Sequence, residues 1–89
     1  MHVMNLYTAI KKLKSEKEVV NFMRDLCTPN EIEALEERWE VAKELYKGKL
    51  TYREIASLLN TSTATVTRVA RFLFKEPNAG YLSILKKYS

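Results

Sequence analysis

Apolar side chains recur at three- and four-residue spacing in six successive stretches of the chain, the period of helices packed through one face. Val3, Leu6, Ile10 and Leu13 form the first stripe, with Lys11, Lys12 and Lys14 gathered near its end. Val19, Phe22, Met23 and Leu26 form a second, following Ser15. Both stripes read as core or dimer interface. The third helix is the best marked. Thr28 precedes Pro29, and Glu31 stands three residues after Thr28, which is the spacing of a capping box with proline at the first helical position. Ile32, Leu35, Trp39, Ala42, Leu45 and Tyr46 then share one face as far as Gly48, a natural C-terminal stop, so a helix is expected over about 29–47. Glu33, Glu36, Glu37, Glu40 and Lys43 make its solvated outer face.

Beyond Gly48 the pattern predicts two short helices in quick succession. Thr51 and Glu54 repeat the capping-box spacing, and Ile55, Leu58 and Leu59 supply an apolar edge. Asn60 stands where the chain must turn sharply, and asparagine tolerates the left-handed backbone better than any residue but glycine. Ser62 can cap the next helix, whose Val66, Val69 and Leu73 point inward. Pro77, Asn78 and Gly80 break the pattern, and a last helix is expected to place Tyr81, Leu85 and Tyr88 on one face.

Two helices joined by about three residues, with small polar residues opening the second, describe a helix-turn-helix over 51–74. Ala56 is small where the two helices must cross closely. At about 100° per residue, Ala64, Arg68 and Arg71 fall opposite the Val66–Val69–Leu73 stripe, flanked by Thr63 and Thr67. Small residues let a backbone approach base edges, and threonine offers a hydroxyl to bases or phosphates and a methyl to thymine. Tyr52 and Arg53, opening the first helix of the motif, are placed to hold phosphates.

Charge strengthens this picture. The net charge is +4, but residues 1–47 hold eight Lys/Arg against nine Asp/Glu, whereas residues 48–89 hold seven against two. A near-neutral scaffold followed by a basic half is the footprint of a phosphate-backbone binder. Eighty-nine residues make one domain, 1–89, with a modest core that favours help from a partner subunit. Only two Gly and two Pro are present, in keeping with helices. No apolar run approaches the ~20 residues of a membrane span, so no membrane association is expected. The single Cys27, in an apolar neighbourhood, is expected to be a buried packing residue, and a reducing, cytoplasmic location follows.

The stretch Cys27-Thr28-Pro29-Asn30-Glu31-Ile32-Glu33-Ala34-Leu35, then Arg38, then Gly48 through Arg68, resembles the bacterial tryptophan repressor superfamily. Thr63-Ala64-Thr65-Val66-Thr67-Arg68 is its most specific piece. Val69-Ala70-Arg71 and Asn78-Ala79-Gly80-Tyr81 resemble the YerC/YecD-type relatives more than the repressor itself. The likeness extends from Asp25 to Tyr81. It implies an all-α protomer of six helices in an intertwined homodimer, with 3–47 and 77–88 as core and dimerisation helices and 51–74 as the reading head. Such a dimer would set two recognition helices in successive major grooves of a palindromic operator in double-stranded DNA, roughly 34 Å apart. Family contacts to DNA carry over to Arg53, Thr63, Ala64, Thr65 and Thr67; at Ala56, where the repressor has lysine, the correspondence fails.

The same resemblance bears on tryptophan. In the repressor two arginines flank the indole and a threonine helps line the pocket; Arg38, Arg68 and Thr28 match these. The glycine that gives the ring room is Val69 here, however, and the serine that supports the amino group is Phe72. Bulk at both positions is expected to leave a vestigial pocket of Thr28, Arg38, Arg68, Val69 and Phe72, without L-tryptophan as corepressor or any cofactor. Arg68, sent outward by helical projection, then becomes a phosphate contact or the partner of a third-helix carboxylate.

No catalytic set is visible. The sole histidine is His2, no Cys/His cluster has metal-ligand spacing, and there is no glycine-rich phosphate loop. The expected function is therefore sequence-specific DNA binding by a homodimer that represses transcription, and not enzymatic. The alternatives are a repressor responsive to tryptophan or another small molecule, and a helical protein-interaction module that binds no DNA.

Overall fold

The structure, a computed structural model, describes residues 3–88; the single histidine, His2, lies outside the described residues. Six helices follow in order: α1 (Leu6–Lys11), α2 (Glu16–Leu26), α3 (Pro29–Lys47), α4 (Tyr52–Leu58), α5 (Thr63–Phe74) and α6 (Gly80–Tyr88). Among the described residues there is no strand. None of the helices is long and apolar enough to cross a membrane.

Helix starts are set by side chains that take over the first unpaired backbone N–H groups. Asn5 caps α1 by accepting from Thr8, and Ser15 caps α2 by accepting from Glu18. The Asn5 cap starts α1 later than the apolar stripe suggests, leaving Val3 before the helix, and Leu13 lies beyond the C-cap at Lys12. At α3, the Thr28 hydroxyl accepts from the Glu31 N–H at 3.2 Å while the Glu31 carboxylate accepts from the Thr28 N–H at 2.8 Å. Gly48 ends that helix with φ +69°, a conformation L side chains adopt only with strain.

The chain divides into two compact units, Met1–Glu33 and Ala34–Ser89. In the first, α1 and α2 contain no buried residue. Leu6, Tyr7, Ile10, Val19, Val20 and Leu26 are all exposed. Cys27 is half-buried, not the fully buried residue its apolar neighbours suggest.

The second unit holds the core. Val41, Ala42 and Leu45 from α3 meet Ile55 and Ala56 from α4, Val66, Val69, Ala70 and Leu73 from α5, and Leu85 from α6. Val41, Ile55, Val66 and Val69 retain none of their accessible surface. Trp39 packs on the edge of this cluster and stacks on Tyr81, ring centres 6.4 Å apart, joining α3 to α6. Leu82 rather than Tyr88 completes the inner face of α6. Tyr88, at the last residue of that helix, is 80% exposed.

Candidate nucleic-acid interface

The residues that the sequence pointed to as nucleic-acid contacts sit on α4 and α5. Thr51 caps α4 in a complete capping box with Glu54. The helix then ends in a Schellman motif: the Thr61 N–H reaches the Ala56 carbonyl at 2.9 Å and the Asn60 N–H reaches Ser57 at 3.3 Å. That closure needs a left-handed residue, and Asn60 supplies it with φ 54°. Ser62 immediately caps α5, its hydroxyl accepting from the Thr65 N–H at 3.1 Å. Ala56, nearly buried, allows α4 and α5 to meet closely.

The buried stripe Val66, Val69, Ala70 and Leu73 fixes the rotation of α5 and turns the opposite side outward. Thr63, Ala64, Thr67, Arg68 and Arg71 are all exposed there. With Phe72 they line one shallow groove of about 670 Å³. Arg53 is exposed at the start of α4, and Tyr52 shares a second groove with Thr67 and Arg71. Thr65 is half-buried, with its hydroxyl 3.1 Å from that of Ser62, so its side chain serves the cap.

Each of the two arginines of this face has a partner within the chain. Arg71 Nε donates to Glu76 Oε2 at 3.0 Å. Glu76 lies five residues on, beyond the end of α5, where its own N–H closes onto the Arg71 carbonyl at 2.9 Å. No within-helix pairing rule could have found that partner. Arg68 makes no ion pair among the described residues, so the third-helix carboxylate expected for it is not its partner. Its guanidinium instead lies over the Phe72 ring, 4.9 Å from the centre, as the i, i+4 spacing on α5 allows.

The matched ligand positions come together only in part. A surface depression of about 420 Å³ is lined by Leu35, Arg38, Arg68, Phe72, Asn78, Gly80 and Tyr81. Val69 does not line it. The i, i+3, i+7 stripe that anchors α5 carries Val69 into the core, so its bulk cannot fill the depression. Thr28 is occupied as the α3 cap. Among the described residues no group of three or more His, Cys, Asp or Glu is placed to hold a metal.

A family profile described as Trp repressor protein matches residues 1–89. The chain belongs to the Trp repressor family. It is 46% identical over 68 residues to the uncharacterized protein YerC of Bacillus subtilis (strain 168), across 76% of this chain and 64% of that one. It is 37% identical over 59 residues to a Trp operon repressor homolog of Vibrio vulnificus (strain YJ016), across 66% of this chain and 58% of that one. The chain thus spans less than two thirds of the length of these relatives. The crystal structure of a TrpR like protein from Eubacterium eligens ATCC 27750 superposes with a TM-score of 0.84 at 43% identity, covering 92% of this chain and 82% of the other. The all-α architecture is therefore that of the Trp repressor family.

Proposed function

We propose that this member of the Trp repressor family is a sequence-specific DNA-binding regulator that represses transcription as a homodimer in the cytoplasm, without enzymatic activity. The observation that carries this reading is the exposed face of α5: Thr63, Ala64, Thr67, Arg68 and Arg71 stand outward because the opposite face of the helix is buried. Arg53 joins that face as a contact to phosphates, and Thr65, whose N–H is taken by Ser62, would add its half-exposed hydroxyl. The operon-repressor name borne by the Vibrio relative supports a regulator. In this reading 51–74 is the reading head, and 3–47 with 77–88 forms the core and dimerisation helices.

The dimer is proposed on physical grounds. Leu6, Tyr7, Ile10, Val19, Val20 and Leu26 expose apolar area, Tyr7 at 80%, which a second copy would cover. Sedimentation at micromolar concentration is expected to give twice the chain mass; a monomer would count against it. The decisive experiment is selection of bound duplexes from a random pool. A palindromic site should emerge, with affinity that falls steeply as salt rises. Thr67→Ala and Arg71→Ala should each weaken binding to it by about 1–3 kcal/mol. Unchanged affinity in both would remove α5 as the reading helix, and no binding at low salt would leave the protein-interaction alternative.

The depression between Arg38 and Arg68 favours a second reading, in which a small molecule other than L-tryptophan modulates the same repressor.

A further inference from the structure

Phe72 occupies an unusual place for a large aromatic side chain. It sits on α5 at the margin between the core and the outward face, half-buried, and it lines the groove shared by Thr63, Ala64, Thr67, Arg68 and Arg71. The Arg68 guanidinium lies 4.9 Å from its ring centre and that of Arg71 lies 5.9 Å away, both within cation–π range. The Arg71 contact is the longer, and Arg71 also donates Nε to Glu76 at 3.0 Å. One ring therefore lies against the two guanidinium groups of α5.

We propose that Phe72 is a positioning residue for DNA binding, holding Arg68 and Arg71 in the orientation in which they meet DNA phosphates. The proposal rests on the DNA-binding reading above. A guanidinium on a free side chain loses rotamer freedom when it engages a phosphate, and that loss subtracts from affinity. A guanidinium already laid against a ring has lost part of that freedom in the unbound protein. The ring does this without neutralising the charge, so the phosphate still meets a full cation. The two restraints on α5 differ in this respect: Glu76 orients Arg71 but offsets its charge, whereas Phe72 leaves Arg68 uncompensated.

The test compares Phe72→Leu, which keeps apolar bulk and removes the π face, with Phe72→Tyr, which keeps both. Binding to the selected duplex is measured across salt concentrations, together with thermal midpoints. Phe72→Leu is expected to bind about tenfold more weakly, while Phe72→Tyr binds as the unaltered chain does. Adding Arg68→Met to Phe72→Leu should cost less than adding it to the unaltered chain, by up to about the tenfold that the restraint supplies. In the free protein, the Arg68 side-chain protons should show an upfield ring-current shift that Phe72→Leu abolishes and Phe72→Tyr preserves. A space-filling role for Phe72 would also let tyrosine substitute, but it would not produce this coupling with Arg68. Equal affinity of Phe72→Leu and the unaltered chain, or an Arg68 signal without the ring shift, overturns the assignment of Phe72 alone. Failure of the unaltered chain to bind any duplex overturns the DNA-binding reading and the Phe72 role with it. If Phe72→Leu unfolds, the ring-current shift on Arg68 in the unaltered chain still decides, since its absence overturns the assignment.

Discussion

Glu54 Oε1 accepts the Thr51 N–H at 2.8 Å while the Thr51 hydroxyl accepts the Glu54 N–H at 3.1 Å, so each residue pairs the other's backbone at the entrance to α4. The same exchange between Thr28 and Glu31 opens α3. Both carboxyls are held below the ordinary glutamate range, first by the hydrogen bond from the backbone of the capping threonine and second by that threonine's side chain. A carboxyl whose folded value is depressed adds stability that is present above its unfolded value and lost as pH falls through the folded one. The caps should therefore contribute fully at neutral pH and fade only on the acid side of the ordinary glutamate range. Glutamine can accept the same N–H without titrating. Denaturant unfolding followed against pH should show a stability gap between the unaltered chain and the Glu31→Gln/Glu54→Gln double variant that closes in acid. A gap independent of pH would mean that the carboxylates do not act through their charge.

Removing the hydroxyl from the same box is a separate matter. Thr51→Ala leaves the Glu54 N–H without its acceptor at the start of α4. It should lower stability by about 1 kcal/mol in urea unfolding at neutral pH. A change within measurement error would show that water replaces the hydroxyl at no cost.

Asn60 ends α4 with φ 54° and lets the Thr61 N–H reach Ala56. Any L side chain in that conformation brings its Cβ against the following carbonyl. Glycine has no Cβ, and asparagine's short amide offsets the cost locally, which a β-branched side chain cannot do. Asn60→Gly should leave stability nearly unchanged, whereas Asn60→Val should cost about 1–2 kcal/mol. Equal unfolding midpoints for the two variants would mean that the turn relaxes out of the left-handed region.

What the sequence made legible was local. Thr28 with Glu31, Thr51 with Glu54, Gly48 and Asn60 each announce a helix end because cap and turn chemistry act over a few neighbouring residues. The inward stripe Val66, Val69 and Leu73 was legible for the same reason, since one helical period sets it. The family match of Val69 to a pocket position conflicted with that stripe, and burial in the core took precedence. Glu76 as the partner of Arg71 lay hidden because the pairing crosses a helix end. Arg68 over Phe72 lay hidden because an i, i+4 spacing permits a contact without requiring it. The exposure of Leu6, Tyr7 and Ile10 could not be read from periodicity, which marks an apolar face but not what covers it.

Ile55 is fully buried in α4, while Leu58, three residues later, is 60% exposed. Deleting buried methylenes loses transfer energy and leaves a cavity that close-packed neighbours fill incompletely. Ile55→Ala should cost about 2–5 kcal/mol and Leu58→Ala no more than about 0.5 kcal/mol in equilibrium unfolding. A large loss at Leu58 would reveal that something covers it in solution.

L-Tryptophan should not bind. The depression beside Arg38 and Arg68 is lined by Phe72, whose ring is already in contact with the Arg68 guanidinium. An indole entering there would have to displace that ring and break its contact before making its own. Val69 plays no part in the obstruction, because it is fully buried in the core. Calorimetric titration of the unaltered chain is expected to show no heat of binding, and the amino acid should leave DNA affinity unchanged. The two bulky positions can also be told apart. Phe72→Ser opens the depression and is the variant in which weak tryptophan binding should become measurable. Val69→Gly should instead lower stability by about 2 kcal/mol or more, through a core cavity and a mid-helix glycine, and gain no binding. Saturable heat with the unaltered chain would sink the prediction, and binding gained by Val69→Gly alone would restore that residue to the pocket.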